Sequence, residues 1–404
     1  MTADAGPRAL DLPALQQALR EQELDGWLLY DFHGQNPTAR SALGLAEHML
    51  TRRWCYLVPA RGDPTILLHA IELRSFPAQV PGRRASYTSW GTFTEALQRM
   101  LSSLPGRRVA MEYLPLGAIP ALSRVDAGTV ELVRSMGAEV VSSADLVQRF
   151  LCRWTPHQLA SHVRAVRAID GAKDAAFEQI GIALRRGVEV SELTLQRFLT
   201  EEFARAGLVC DHPPMVAVNA HAGDPHYEPS PGAPTPIRRG DLVLIDLWAR
   251  ERGPSDVYAD ITWVGFCGDR PPVRAEQVFR IAADARDAGL EALRSAWREG
   301  RVLQGWHVDR VVRDHVAAHG YGDRFPHRTG HSIGTSVHGD GANLDDLETH
   351  DTRELVEGLA FSIEPGIYLP EEGFGVRTEI DVVLTPEGPC VYSPVQREIV
   401  RIAC

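Results

Sequence analysis

The sequence carries no surplus of positive charge: 42 Lys and Arg stand against 53 Asp and Glu over 404 residues, a formal net charge of −11. Without a basic excess to neutralise phosphates, nucleic acid and anionic membrane are not expected as main partners, and at most a small local basic pocket is left. No two cysteines are spaced C-x-x-C; Cys55, Cys152, Cys210, Cys267, Cys390 and Cys404 are scattered along the chain. This argues against a disulfide framework and against a thiolate zinc site, and it fits a reducing compartment. No apolar run reaches membrane-spanning length, and residues 1–24 mix acids and bases with apolar residues where a signal peptide would have an apolar core. A cytoplasmic location is expected. Internal repeats and low-complexity segments are also missing. A hydrophobic share of 44% and a charged share of 24% describe a soluble globular chain, and 404 residues exceed one ordinary core, so two domains are expected.

The first, residues 1–153, reads as a small α/β scaffold domain. A helix through Leu15 and Leu19 leads to a continuous apolar run at 26–30 that suits a buried strand. A turn-rich polar segment, 31–37, follows. The run 54–58, the turn Gly62-Asp63-Pro64 and the run 65–68 give a hairpin signal, and 108–113 gives another strand. The second domain, residues 154–404, opens on a long amphipathic helix with Thr155 as N-cap, Pro156 at its first position, and Leu159, Val163, Val166 and Ile169 on one face. Another helix at 191–207, extended structure at 213–218 and a helical interval at about 274–320 follow.

Chemistry concentrates in this second domain. The strand-like run 241–246 ends on Asp246, and the run 258–263 carries Asp260; a turn at 251–255 between them should fold the two strands back and bring the carboxylates face to face. Burying a carboxylate beside Ile and Leu costs several kcal/mol unless a cation or hydrogen bonds compensate. Two apposed carboxylates repel, which a divalent ion between them relieves. A second pair, Glu364 and Glu379, also lies in strand-like surroundings, with Arg377, Glu379 and Asp381 on one face at period two. His331 stands between Gly330 and Gly334 in a stretch whose glycines let the backbone approach a ligand, and His338 follows seven residues on. Four carboxylates and one imidazole make a ligand set rich in hard oxygen, suited to two divalent ions such as Mn²⁺, Co²⁺ or Zn²⁺.

The ordered set Asp246, Asp260, His331, Glu364 and Glu379, with Pro225-His226-Tyr227-Glu228-Pro229, His338 and Arg377, resembles the metallopeptidases of pita-bread fold: methionine aminopeptidase, aminopeptidase P, prolidase and the creatinases. The resemblance covers roughly 155–404, and residues 1–153 resemble the N-terminal domain of the creatinase and prolidase type. It implies an α/β (α+β) chain with a C-terminal pita-bread catalytic domain. Two positions depart from the family pattern: Trp248 stands where Gly is usual after the first Asp, and Trp263 where Arg is common. The turn between the first two ligands is also longer.

By this resemblance Glu364 is both a metal ligand and a proton shuttle, with a water acidified between the ions as nucleophile. His226 and His338 donate to the substrate carbonyl and the developing oxyanion, with His212 and His221 able to stand in for His226. The expected activity is that of a homodimeric dimetal exopeptidase on short proline-containing peptides, an Xaa-Pro dipeptidase. Aminopeptidase P, acting on longer peptides, is the alternative, and a non-catalytic peptide-binding module of the same fold a remote one. A dipeptidase must grip the free carboxylate after proline. Arg377 is one candidate; the N-terminal segment, with Arg40 or His33 for the carboxylate and Asp31 for the free amine, is the other.

Overall fold

A computed structural model describes residues 10–45 and 48–404. Residues 1–9, part of the N-terminal stretch read above as no leader, lie outside the described residues. The chain divides into two compact units, Met1–Cys152 and Arg153–Cys404.

In the first unit the apolar runs become strands β1 (Gly26–Asp31), β2 (Trp54–Pro59), β3 (Thr65–His69), β4 (Arg83–Tyr87), β5 (Arg108–Met111) and β6 (Glu139–Ser142), in the sheet order β4-β3-β2-β1-β5-β6. β2 and β3 form the hairpin that the Gly62-Asp63-Pro64 turn signals. Alternation sorts the side chains onto two faces. Trp27, Leu29, Trp54, Tyr56 and Val58 enter one core with residues of α1 (Leu12–Glu21), α2 (Pro37–Ala42) and α5 (Ala144–Val147). Leu28, Tyr30, Cys55 and Leu57 enter the other, under α3 (Trp90–Ser102) and α4 (Ala127–Ser135). Helices on both faces explain why β1 is apolar without interruption.

The segment after β1 departs from expectation. Asp31 is the last residue of that strand and fully buried. Its carboxylate accepts from the backbone N–H of Gly34 (3.2 Å) and Asn36 (2.9 Å) and from Trp54 Nε1 (3.2 Å), and it pairs with Arg40 Nη1 at 3.4 Å. Arg40 also donates to the carbonyls of Leu45 and His48. Neither residue is available to a substrate. A carboxylate beside buried tryptophans requires its lone pairs filled, and this turn fills them.

The second unit begins with α6 (Pro156–Arg186), capped by Thr155 and Gln158 in a reciprocal box, and α7 (Glu192–Arg205). Strands β7 (Leu208–Val209), β8 (Met215–Val218), β9 (Leu242–Glu251) and β10 (Ala259–Cys267) come next, then helices α8 (Val273–Arg298) and α9 (Gly305–Ala318). β11 (Ala360–Ile363), β12 (Gly366–Leu369), β13 (Phe374–Arg377), β14 (Ile380–Thr385), β15 (Gly388–Val391) and β16 (Val400–Ile402) complete it. One sheet runs β16-β10-β9-β7 with β8 also paired to β9; β11-β14-β15 and β12-β13 form two smaller sheets. Val243, Ile245, Leu247 and Ala249 of β9 and Ala259 and Ile261 of β10 pack in one core with α6 and α7. Period two therefore turns Asp246, Trp248, Asp260 and Thr262 to the opposite face. There the functional residues gather.

Candidate metal centre

The register of the β9–β10 pair corrects the expected apposition. Asp246 lies opposite Thr262, and Asp260 opposite Trp248. The two carboxylates are diagonal neighbours on one face, because the turn sets a pairing two residues out of step with facing aspartates. The expected continuous strand through 377–381 is also broken. β13 ends at Arg377 and pairs with β12, whereas β14 starts at Ile380 and pairs with β11, so Thr378 and Glu379 span the gap between two sheets. Glu379 still turns to the same place: Thr262 Oγ1 lies 2.6 Å from Glu379 Oε2 and 3.1 Å from Asp246 Oδ1. One hydroxyl proton thus serves two carboxylates.

His331 reaches the site from irregular backbone. A side chain at Gly330 would stand 1.9 Å from the Ser362 carbonyl oxygen, so only glycine permits this approach to β11. The His331 backbone N–H donates to Ser362 Oγ at 3.0 Å, and Ser362 Oγ in turn donates to Glu364 Oε1 at 3.1 Å. His331 Nδ1 lies 3.2 Å from the Ser332 carbonyl; donation there assigns the proton to Nδ1 and leaves the Nε2 lone pair to the site. That Nε2 is 3.6 Å from Asp260 Oδ2 and 3.4 Å from Glu364 Oε1.

Asp260, His331 and Glu379 each offer a ligand atom within 4.8 Å of the others, and all three are buried. Asp260 Oδ1, Glu379 Oε1 and Asp381 Oδ1 are buried with no hydrogen-bond partner. Burial first, then repulsion from Glu379 and Asp246, pushes the Asp260 carboxyl well above its ordinary range. Burial first, then Glu364 and Asp246, does the same to Glu379, and burial raises Glu364 to about 7. The His331 imidazole is driven well below its usual value by burial and then by His338. Crowded carboxylates with unfilled lone pairs beside a neutral imidazole are the donor set a divalent cation satisfies, so the residues present fit such an ion.

Arg377 is placed differently from its candidate role. Nη2 donates to Asp246 Oδ2 at 2.6 Å, Nε to Thr262 Oγ1 at 3.2 Å, and Nη1 to Tyr368 Oη at 3.1 Å and the Pro225 carbonyl at 3.4 Å. Every nitrogen is engaged and the side chain is buried, so it offers no fork to a substrate carboxylate. Tyr368 Oη lies 2.7 Å from His327 Nε2, extending the chain from Asp246 through Arg377 and Tyr368 to His327. Asp381 accepts from the Asp260 backbone N–H at 2.8 Å and so holds a neighbour of the site. Thr262, Tyr368 and Asp381 were not assigned roles from sequence. For Thr262 a signal existed: it follows Asp260 by two and so shares its face.

A cavity of about 840 Å³ opens onto the cluster, with Asp246, Trp248, Met215, Arg328, Glu348 and His338 in its lining, and His212 as well. His338 meets the His331 ring edge-on, with centroids 4.3 Å apart. His226 also lines the cavity, exposed on its loop. Arg328 keeps a quarter of its side chain exposed, with Glu348 4.0 Å away. His221 instead turns to Glu192.

Dipeptidase PepE from Mycobacterium ulcerans, a solved structure, superposes with a TM-score of 0.73 over 97% of this chain and 96% of that one at 24% identity, which shows the shared fold. The probable dipeptidase PepE of Mycobacterium tuberculosis is 25% identical over 364 residues, 89% of this chain and 88% of that protein. The Xaa-Pro dipeptidase of Pyrococcus furiosus is 32% identical over 163 residues, 40% of this chain and 42% of that one. The chain spans about half the length of several further curated relatives it matches. The model of metallopeptidase family M24 matches residues 163–386, a stretch that contains all five clustered ligand candidates, and the chain belongs to that family.

Proposed function

We propose that the chain is a dimetal exopeptidase that hydrolyses Xaa-Pro bonds, with Xaa-Pro dipeptides as its substrates. The observation that carries this reading is the buried cluster in which Asp260 Oδ1 and Glu379 Oε1 lack any donor, open to a cavity that holds one partly exposed guanidinium, Arg328. Asp246, Asp260, His331, Glu364 and Glu379 would hold two divalent ions, Mn²⁺, Zn²⁺ or Co²⁺. Such ions, when bound, polarise a peptide carbonyl and acidify water near neutral pH.

The chain's own groups do the rest. Glu364, on the cavity side and hydrogen-bonded to Ser362, takes up at its free oxygen the proton released by the attacking water and delivers it to the leaving secondary-amine nitrogen of proline. His338 and His226 donate to the carbonyl oxygen as negative charge grows on it. Arg377, Thr262 and Tyr368 hold the Asp246 and Glu379 carboxylates in place. Arg328 takes the substrate carboxylate, because it is the guanidinium that faces the cavity without being fully engaged. Relatives named dipeptidase and Xaa-Pro dipeptidase support the same assignment.

One observation favours the alternative, an Xaa-Pro aminopeptidase on longer peptides: a cavity of about 840 Å³ exceeds what a dipeptide fills. Rates on Ala-Pro and Ala-Pro-Ala decide between them. A non-catalytic module would bind peptide without turnover on either, even when loaded with metal. The reading includes a homodimer, tested by light scattering, and a cytoplasmic location, which six cysteines held in no disulfide support. No helix among the described residues is long and apolar enough to cross a membrane.

A further inference from the structure

Glu192 is the first residue of α7, and its side chain is completely buried. The cap of that helix is the Ser191 hydroxyl, so the carboxylate is not used there. It is used on the loop between β8 and β9. Oε1 accepts from the Val218 backbone N–H at 2.7 Å and lies 2.9 Å from His221 Nδ1; Oε2 accepts from Tyr227 Oη at 2.7 Å. The His221 and Tyr227 rings stack with centroids 4.2 Å apart and planes 24° from parallel. The end of β8 and two points of the loop that follows it are therefore tied to one carboxylate.

His226 sits between the last two ties. It is exposed, it lines the cavity, and its backbone N–H donates to Asp224 Oδ1 at 3.0 Å. The 3-10 turn at 219–223 is itself held, pressed so close to β13 that a side chain at Gly375 would stand 1.9 Å from the Ala222 carbonyl oxygen, whereas 224–231, which carries His226, forms no helix or strand. A loop of this kind, untied, samples many conformations, and only a fraction would present the imidazole to a bound peptide.

We propose that Glu192 is a positioning residue: by clamping Val218, His221 and Tyr227 it holds His226 at the cavity, and it acts on turnover through His226 alone. This rests on the reading of His226 as a donor to the substrate carbonyl oxygen. Gln at 192 keeps an acceptor for Val218 and His221, and its amide can donate to a Tyr227 hydroxyl turned to accept, so it preserves the clamp. Ala removes all three ties.

The test is a double-mutant cycle on the metal-loaded enzyme with Ala-Pro, together with hydrogen exchange on metal-free protein. Glu192→Ala is expected to lower kcat/KM at least about tenfold, mostly in kcat, while Glu192→Gln stays within about threefold of wild type. On a His226→Ala background Glu192→Ala should change kcat/KM by less than about twofold. Amides of 219–231 should exchange faster in Glu192→Ala than in Glu192→Gln. If Glu192→Ala does not fold, Tyr227→Phe, which cuts one tie and keeps the stacked rings, runs the same cycle with a smaller loss. Equal losses from Glu192→Ala with and without His226 would overturn the proposal, as would unchanged loop exchange. Wild-type activity in His226→Ala, with the exchange arm unaffected, would instead locate the failure in the reading of His226 and remove the proposal with it.

Discussion

Arg377 Nη2 donates to Asp246 Oδ2 at 2.6 Å in a site where the two side chains are only 4% and 15% exposed. Removing one partner of a buried pair leaves the other uncompensated, at a cost of about 3–5 kcal/mol. Arg377→Ala is therefore expected to lower divalent-ion content after dialysis and to reduce kcat/KM on peptides of every length. Arg377→Lys should rescue little, since one ammonium cannot reach Asp246, Thr262 and Tyr368 together. An effect confined to KM for dipeptides, with full metal content, would restore Arg377 as a substrate-carboxylate ligand.

Metal-free protein should lose stability as pH rises above about 7.5. Burial is the first cause that raises the Asp260, Glu379 and Asp381 carboxyls well above their ordinary range and Glu364 to about 7. Burial also lowers His331 well below its usual value, His327 to about 3 and His162 to about 4. Unfolded histidines are half-titrated near pH 6.5 and nearly neutral about one unit higher, so above about pH 7.5 these histidines are neutral in both states. The raised carboxyls still bind more protons in the folded chain than in the unfolded one, and stability must then fall with pH. Tm of chelator-treated protein should drop between about pH 7.5 and 9, and Mn²⁺ should raise Tm more at the upper pH. A metal-free Tm that climbs through this window would contradict the burial of these carboxyls as acids.

Glu364 and His338 should separate by what they leave behind. Glu364→Ala is expected to abolish turnover, and more than about a tenth of wild-type kcat would exclude it as the essential proton carrier. His338→Ala removes a ring that only packs edge-on against His331, so the ion should remain while activity falls by about two orders of magnitude, the scale for losing an oxyanion donor. Elemental analysis beside steady-state kinetics reads both. Loss of metal in His338→Ala would make it a support of the cluster.

The apolar strands and the caps were legible because they depend on local pattern: Thr155 and Pro156 start α6 where the sequence places them, and 26–30 is buried on both faces as its uninterrupted apolar run requires. Pairing offsets were not. Nothing local to Asp246 and Asp260 says that each faces Thr262 or Trp248, since register is decided by the turn and by both strands together. Side-chain partners across long separations were equally hidden. Asp31 and Arg40 look like free polar groups in a turn until Trp54 and the carbonyls of Leu45 and His48 are folded onto them. The hold of Arg377 on Asp246 spans 131 positions.

Trp248 replaces a small residue usual in this family and stands beside Asp260 in register, on the cavity wall with Met215. An indole there gives an apolar side chain of the substrate a face to pack on. Phe-Pro and Leu-Pro should be better substrates than Gly-Pro, and Trp248→Gly should cut kcat/KM for Phe-Pro by about tenfold or more, with Gly-Pro nearly unchanged. Parallel losses on both substrates would show that Trp248 supports the strand and leaves selectivity alone.

In the reading proposed above, length specificity turns on Arg328. Its backbone N–H donates to Glu348 Oε1 at 3.1 Å, its guanidinium is 4.0 Å from the same carboxylate, and a quarter of the side chain faces the cavity. A pair this loose and this wet contributes little stability, so a substrate carboxylate can displace Glu348 at small cost. In a dipeptide that carboxylate follows the proline directly, whereas in a tripeptide an uncharged amide occupies its place and the guanidinium gains nothing. Wild type should therefore prefer Ala-Pro to Ala-Pro-Ala, Arg328→Ala should lose the preference by raising KM for Ala-Pro, and Arg40→Ala, with its side chain turned to Leu45 and His48, should keep it. Glu348→Gln should lower KM for Ala-Pro by releasing the guanidinium. Equal kcat/KM on the two peptides in wild type would make the enzyme an aminopeptidase on longer chains. A dipeptide preference that survives Arg328→Ala would leave the dipeptidase assignment standing and move carboxylate recognition to another residue.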